Sequence, residues 1–222
     1  MKKVFFLIFL LLSVTCSGQI LIDSWSESNY TSDWYSSSIF PYNSQSFYNG
    51  QSSSVKITSC KFYMSPGVNS YPTGNLYSYL YAMTGVYGST SHPTGTPLAI
   101  SDPIDATTFW FQPYKLIQFT FSGSNQYAMT ALTHYCICFV YTISSYIILM
   151  GYGGTAHAGN ASYSQDGSTW WTDINSDFCF YVYGVVVTTS ISKVNSVTQA
   201  TISKINGLTN VAIKKVNGIV NQ

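Results

Sequence analysis

Between residues 19 and 184 the apolar positions recur at every second residue in short runs, and turn-forming residues interrupt them every few positions. Lys115-Leu116-Ile117-Gln118-Phe119-Thr120-Phe121 alternates, Leu76 to Met83 does so in part, and residues 135–141 and 178–183 are dense in aromatic and β-branched side chains. An extended chain sends successive side chains to opposite faces, so each run predicts a strand with one face inward. Ser65-Pro66-Gly67, Pro72-Thr73-Gly74, Pro93-Thr94-Gly95, Ser122-Gly123-Ser124-Asn125 and Gly153-Gly154 supply the turns. No stretch of about 12 residues keeps an i, i+3, i+4 apolar pattern free of turn residues. The prediction is an all-β, jelly-roll-like antiparallel sandwich over residues 19–184. One strand changes parity: Val55 and Ile57 fall on one face, Cys60, Phe62 and Met64 on the other. A β-bulge near Thr58-Ser59 would return them to a common inward face.

The two ends of the chain follow other patterns. Met1-Lys2-Lys3, an apolar run from Val4 to Leu12 and the small, polar residues 13–19 have the three parts of a secretory signal peptide, with cleavage after Gly18. An alternative makes Cys16 a lipid-anchored cysteine, although Ser13-Val14-Thr15 lacks the usual leucine and small residue before it. The apolar run falls short of the roughly 20 residues a membrane-spanning helix needs. Secretion or display at the cell surface is expected, with no membrane span. From 185 to 222 an 11-residue unit repeats: Ile191-Ser192-Lys193-Val194-Asn195-Ser196, then Ile202-Ser203-Lys204-Ile205-Asn206-Gly207, then Ile213-Lys214-Lys215-Val216-Asn217-Gly218. Asn-Gly between β-branched residues predicts a two-residue hairpin, because both residues tolerate positive φ. Units this short cannot bury a face alone. Ile191, Ile202 and Ile213, with the turns at Asn206-Gly207 and Asn217-Gly218, are therefore the candidate assembly positions, and a homo-oligomer joined through the tail is expected.

Composition narrows the partners. Charged residues make up 8% of the chain, yet 46% is hydrophobic and 17% aromatic, so a core can form while Ser, Thr, Asn, Gln and Tyr hydroxyls make the surface polar. Such a surface suits sugars or close packing in an assembly and does not suit nucleic acid. Residues 19–184 carry three lysines against eight acids, whereas 185–222 carry four lysines and no acid, so body and tail attract. Cys60, Cys136, Cys138 and Cys179 remain after the leader. Two disulfides are permitted in an exported chain, but buried thiols fit equally. Cys136 and Cys138, two apart on one strand, face the same side and are poorly placed to pair with each other.

Candidate chemistry is sparse. His92, His134 and His157 sit in no nucleophile elbow and no metal-binding spacing, and each reads as a surface or loop residue. Asp23 and Glu27 flank Trp25, and Asp173 and Asp177 follow Trp170-Trp171, which leaves a glycoside hydrolase as a minor reading. Asp102 and Asp105 with loop carbonyls could supply oxygen ligands to calcium, although no D-x-D-x-D-G loop is present. No catalytic set and no cofactor are expected. Ser164-Gln165-Asp166-Gly167-Ser168-Thr169-Trp170 resembles an Asp-box, the S-x-D-x-G-x-T-W turn of sialidase-like proteins, one residue short. The resemblance implies a hairpin secured by the aspartate and the tryptophan. Exposed aromatic faces stack on sugar rings, and neighbours along a strand point to opposite faces, so one of Trp170 and Trp171 should face outward. Trp110, in Phe109-Trp110-Phe111, is too crowded with aromatics to be all core. Trp110, Trp170, Trp171 and Asp166 are thus the candidate ligand-binding residues.

Further runs carry a family resemblance: Asp23-Ser24-Trp25-Ser26-Glu27-Ser28-Asn29-Tyr30, Gln45-Ser46-Phe47, Ser54-Val55-Lys56 with Lys61-Phe62-Tyr63, Pro72-Thr73-Gly74-Asn75, Phe119-Thr120-Phe121-Ser122-Gly123, Ser162-Tyr163-Ser164, and Phe178-Cys179-Phe180-Tyr181-Val182-Tyr183-Gly184. With the Lys-[Ile/Val]-Asn-Gly repeats, these resemble a galactose-binding-like jelly-roll module of bacterial surface proteins and phage tail or appendage proteins. The resemblance implies the fold and leaves the ligand open. The leader favours a secreted or cell-surface protein. The expected function is a non-catalytic binding or adhesion module, glycan-directed, with an oligomerising or docking tail; the alternative is a structural phage or surface-assembly component without a small ligand.

Overall fold

The computed structural model describes residues 18–36, 39–67, 70–109, 113–143, 146–154 and 157–187, together with six two-residue strands in the tail. The strands are β1 (Ile20–Trp25), β2 (Ser32–Ser36), β3 (Tyr42–Asn49), β4 (Val55–Pro66), β5 (Asn75–Thr84), β6 (His92–Ile100), β7 (Ile104–Asp105) and β8 (Lys115–Thr120). They continue as β9 (Ala128–Met129), β10 (Thr133–Val140), β11 (Ile148–Gly153), β12 (Ala161–Ser164), β13 (Trp170–Asp173), β14 (Asp177–Phe178) and β15 (Phe180–Val186). Helix among the described residues is confined to short 3-10 turns, and none of it is long and apolar enough to cross a membrane.

Two antiparallel sheets pack face to face, as the alternation predicted. An eight-stranded sheet runs β1-β15-β4-β11-β14, with β2 on β11 and β8 and β9 on β4. A seven-stranded sheet runs β13-β12-β3-β10-β5-β6, with β7 on β5. Phe47, Phe62, Phe119, Phe139, Phe178 and Phe180 fill the space between the sheets, with Ile57, Met64, Leu80 and Ile137. Each such side chain contributes about 1.5–3 kcal/mol relative to leaving it in water. The bulge lies where the parity change placed it: Tyr183 pairs with Ser59, but the next residue, Gly184, pairs with Ile57, leaving Thr58 skipped. Val55 and Ile57 then share an interior with Cys60, Phe62 and Met64. Gly184 is required there, since a Cβ would lie 2.6 Å from the Lys56 carbonyl oxygen.

The seven-stranded sheet does more than cover the core. Its end strands β13 and β6 approach within 8 Å Cα to Cα, so the sheet is rolled and its outward face is concave. That face closes on a second, smaller core of Tyr81, Cys136, Cys138 and Val140, against which Tyr42, Tyr77, Tyr79, Met83 and Trp170 pack. Cys136 and Cys138 share one face, and all four described cysteines are buried free thiols, which decides between disulfides and thiols.

In the tail, β16 (Lys193–Val194) pairs with β17 (Val197–Thr198), β18 (Lys204–Ile205) with β19 (Leu208–Thr209), and β20 (Lys215–Val216) with β21 (Ile219–Val220). Each is a separate two-stranded hairpin with two intervening residues, recurring at the period of the repeat. The turn residues themselves, Asn206, Gly207, Asn217 and Gly218, and the repeat positions Ile191, Ile202 and Ile213 lie outside the described residues.

Candidate functional site

The hairpin between β12 and β13 brings together three of the four sequence-predicted ligand residues. The Asp166 carboxylate serves its own turn: Oδ1 accepts from the Ser168 and Thr169 amides at 2.8 and 2.7 Å and from Ser164 Oγ at 3.0 Å, and Oδ2 accepts from Thr169 Oγ1 at 3.1 Å. The Thr169 and Ser168 amide donors hold this exposed carboxyl well below the ordinary carboxylate range. Gly167 takes the left-handed conformation of the turn at φ +76°. The aspartate of the Asp-box-like segment thus secures the hairpin.

The tryptophans divide as strand geometry requires. Trp170 turns into the rolled face, with its ring 6.5 Å from that of Tyr42 and 6.3 Å from that of Tyr81. Trp171 turns the other way and remains 41% exposed. Its indole stacks on Tyr163 at 6.0 Å and 21°, with Phe40 edge-on at 6.0 Å. Tyr163 in turn rests on Trp34, 4.8 Å away, so the exposed indole stands on an aromatic slab anchored to the core. Trp110 lies outside the described residues.

A recess that the chain's motifs do not signal opens elsewhere, between β1, the end of β3 and the loops 85–90 and 157–159. It measures about 290 Å³ and is lined by Ile22, Asp23, Tyr48, Gly50, Tyr87, His157 and Ala158. His157 lies in a loop, as one half of its expectation had it, but not at the surface: its side chain is 7% exposed and wedged between two carboxylates. The Gly159 amide donates to His157 Nδ1 at 3.0 Å, which places the ring proton on Nε2, 3.2 Å from Asp23 Oδ1. Asp23 is fixed further by the Ser24 amide on Oδ1 at 2.8 Å and the Tyr48 amide on Oδ2 at 2.9 Å. Behind the imidazole, Asp177 accepts from Gln45 Nε2 at 2.8 Å, and Gln45 Oε1 accepts from the Phe178 amide at 2.9 Å. Burial pushes the Asp177 carboxyl up to about 6, against the opposing pull of the Gln45 amide and His157. His134 packs between Tyr48 and Tyr87, tilted to each by 31° and 36°, with centroid distances of 4.7 and 4.1 Å.

The outward face of the eight-stranded sheet is also aromatic. Tyr30 and Tyr114 both donate to Asp33 Oδ1, at 2.6 and 2.5 Å, and Tyr63 packs on both rings. The three centroids lie 5.1–5.6 Å apart, which leaves no room for a cation between the rings. Tyr181 donates to Glu27 Oε2 at 2.5 Å. Of the calcium candidates, Asp102 accepts from Ser122 Oγ at 2.9 Å, 20 residues away in sequence, and Asp105 accepts from the Thr107 amide at 2.9 Å, closing a local turn. Among the described residues no three His, Cys, Asp or Glu side chains are grouped to hold a metal ion. No protein-family model matches the chain, and no curated protein or solved structure matches it either.

Proposed function

We propose that the chain is a non-catalytic, extracytoplasmic module that binds surface glycan, with its hairpin tail joining copies or docking them to an assembly. Trp171 carries the reading: a large ring, 41% exposed, on a rigid strand and braced from beneath by Tyr163. A ring held in place before binding loses little conformational freedom when a sugar stacks on it. The low-charge surface rich in hydroxyls suits the same partner. The carboxylates nearest the tryptophans are engaged within the fold, Asp23 by the Tyr48 amide, Glu27 by Tyr181, Asp173 by the Asn175 amide and Asp177 by Gln45, which supports a binding role over hydrolysis. A second reading, a structural component of a surface or appendage assembly, is favoured by the three equivalent hairpin units.

Titration against a panel of surface polysaccharides tests the proposal with two neighbouring variants. Trp171→Ala should weaken binding by about tenfold or more, with a smaller loss of thermal stability from its contacts with Tyr163 and Phe40. Trp170→Ala should instead cost about 2–4 kcal/mol of stability, because it empties part of the smaller core. Absence of saturable binding to every polysaccharide would leave the structural reading in its place.

A further inference from the structure

We propose that the recess at Asp23 and Tyr87 is a second, separate site that takes a single neutral pyranose ring or a polyol of that size. It draws on the glycan reading only for the choice of ligand class; the residues are distinct from Trp171 and its slab.

The recess has the makings of a site rather than a crease. At about 290 Å³ it sits at the small end of ligand pockets, which run from about 300 Å³ upward. Its lining combines Tyr48 and Tyr87 with Ile22, Gly50 and Ala158, and its side-chain polar groups are those of Asp23, His157 and the two tyrosines. A carboxylate has about four acceptor positions. Three of those on Asp23 are taken, two on Oδ1 by the Ser24 amide and His157 Nε2, and one on Oδ2 by the Tyr48 amide. One position on Oδ2 remains, on a side chain that is 20% exposed. The Tyr87 phenol makes no hydrogen bond among the described residues, and burial together with the Asp23 and Asp177 charges keeps it protonated. Asp23 can therefore accept from one ligand hydroxyl while Tyr87 donates to another, which is the complement of adjacent hydroxyls on a sugar ring. The ring's C–H face would lie against tyrosine.

The surroundings hold these atoms in place before a ligand arrives. His157 is fixed at both ring nitrogens, and its ring stands edge-on to Phe180 at 5.1 Å. Gly88, at φ +79°, has the Ala158 carbonyl directly where a Cβ would stand, so the turn carrying Tyr87 seats closely against the loop carrying His157. Gly50 lines the recess beside Tyr48, and a Cβ there would meet the Tyr48 ring at 3.3 Å. A cation is the competing ligand, because the free acceptor belongs to an anion.

Ligand-observed NMR on the full chain separates the outcomes, with methyl pyranosides of glucose, galactose and mannose as probes and tetramethylammonium as the cationic control. Saturable binding of at least one pyranoside is expected. Tyr87→Phe, which removes one oxygen, should weaken it about five- to tenfold, and Gly50→Val, which adds bulk to the lining, should abolish it. The titrations are repeated in a Trp171→Ala background, which removes stacking on the exposed indole, and there the binding sensitive to Tyr87→Phe and Gly50→Val should persist. Asp23→Asn should weaken it too, but Asp23 also ties β1 to β3, so Tyr87→Phe and Gly50→Val are the deciding variants. Binding of tetramethylammonium without any pyranoside would overturn the ligand class. No binding, or binding indifferent to Tyr87→Phe and Gly50→Val, would overturn the site. Loss of polysaccharide binding in Trp171→Ala reports on the other surface alone, so either proposal can fail without the other.

Discussion

Asp177 shows how a single buried carboxyl sets a pH dependence for the whole fold. It lies 2% exposed, with Gln45 donating to it, His157 Nδ1 3.9 Å away and Asp173 contributing a like charge. Burial raises its folded value to about 6 from the ordinary 3.8. An acid whose folded value is raised binds its proton more tightly in the native state than in the unfolded one. Its contribution to stability is therefore complete below about pH 4 and is lost as the pH rises through about 6. Asp177→Asn keeps the oxygen that Gln45 reaches and removes the charge. Urea unfolding from pH 4 to pH 7 should show the wild-type protein losing stability relative to the variant by on the order of 2–3 kcal/mol across that window. Parallel pH profiles in the two proteins would refute the assignment. The same reasoning gives the opposite sign at Asp166, whose turn donors lower its folded value, so that its contribution is present above about pH 4 and is lost as the pH falls.

The rolled sheet is the element that sets thiol chemistry. Cys136 and Cys138 lie on its concave face under tyrosine rings, and Cys60 faces the main core with its thiol 3.1 Å from Ser78 Oγ. Burial pushes the Cys60 and Cys179 thiols up to about 12, and raises Cys136 and Cys138 further. Alkylation at pH 8 followed by peptide mass analysis should leave all four unmodified in the native protein and label all four in urea. Rapid native labelling, or an intact mass short by two hydrogens per bridge, would contradict the burial. Much at this scale was legible beforehand. The bulge in β4 followed from a parity change, the opposed faces of Trp170 and Trp171 from strand geometry, and the tail hairpins from Asn-Gly between β-branched residues. Two features were not. Tyr77, Tyr79 and Tyr81 alternate as an ordinary outward face would, and nothing in that spacing says that the sheet rolls until Tyr81 is buried and Tyr77 and Tyr79 are partly so. His157 owes its burial to Asp23 and Asp177, the first of them more than a hundred residues away in sequence, so a local reading in a Gly-Ala loop sees only an exposed side chain.

For the molecule as a whole, the asymmetry of charge and the repeated hairpins describe two ways in which copies could hold together. β15 ends at Val186, and the Val187 amide donates to the Ser54 carbonyl at 2.8 Å, so a chain ending at Val187 keeps every described contact of the sandwich. Light scattering should give a multimer for the full chain and a monomer of unchanged thermal stability for the shortened one; a monomer in both would dismiss the tail's role. Salt then tells the two forces apart. If the four tail lysines bind the acidic sandwich of a neighbour, association should weaken as ionic strength passes 0.15 M, where screening acts within about 8 Å. If the Val194, Ile205 and Val216 hairpins stack on their counterparts, sulfate should strengthen association, because excluded salts favour apolar burial. Hairpins with two residues per strand have too few backbone hydrogen bonds to persist singly. The stacked arrangement is therefore the expected outcome, with sulfate raising the mass and sodium chloride near 0.15 M leaving it unchanged.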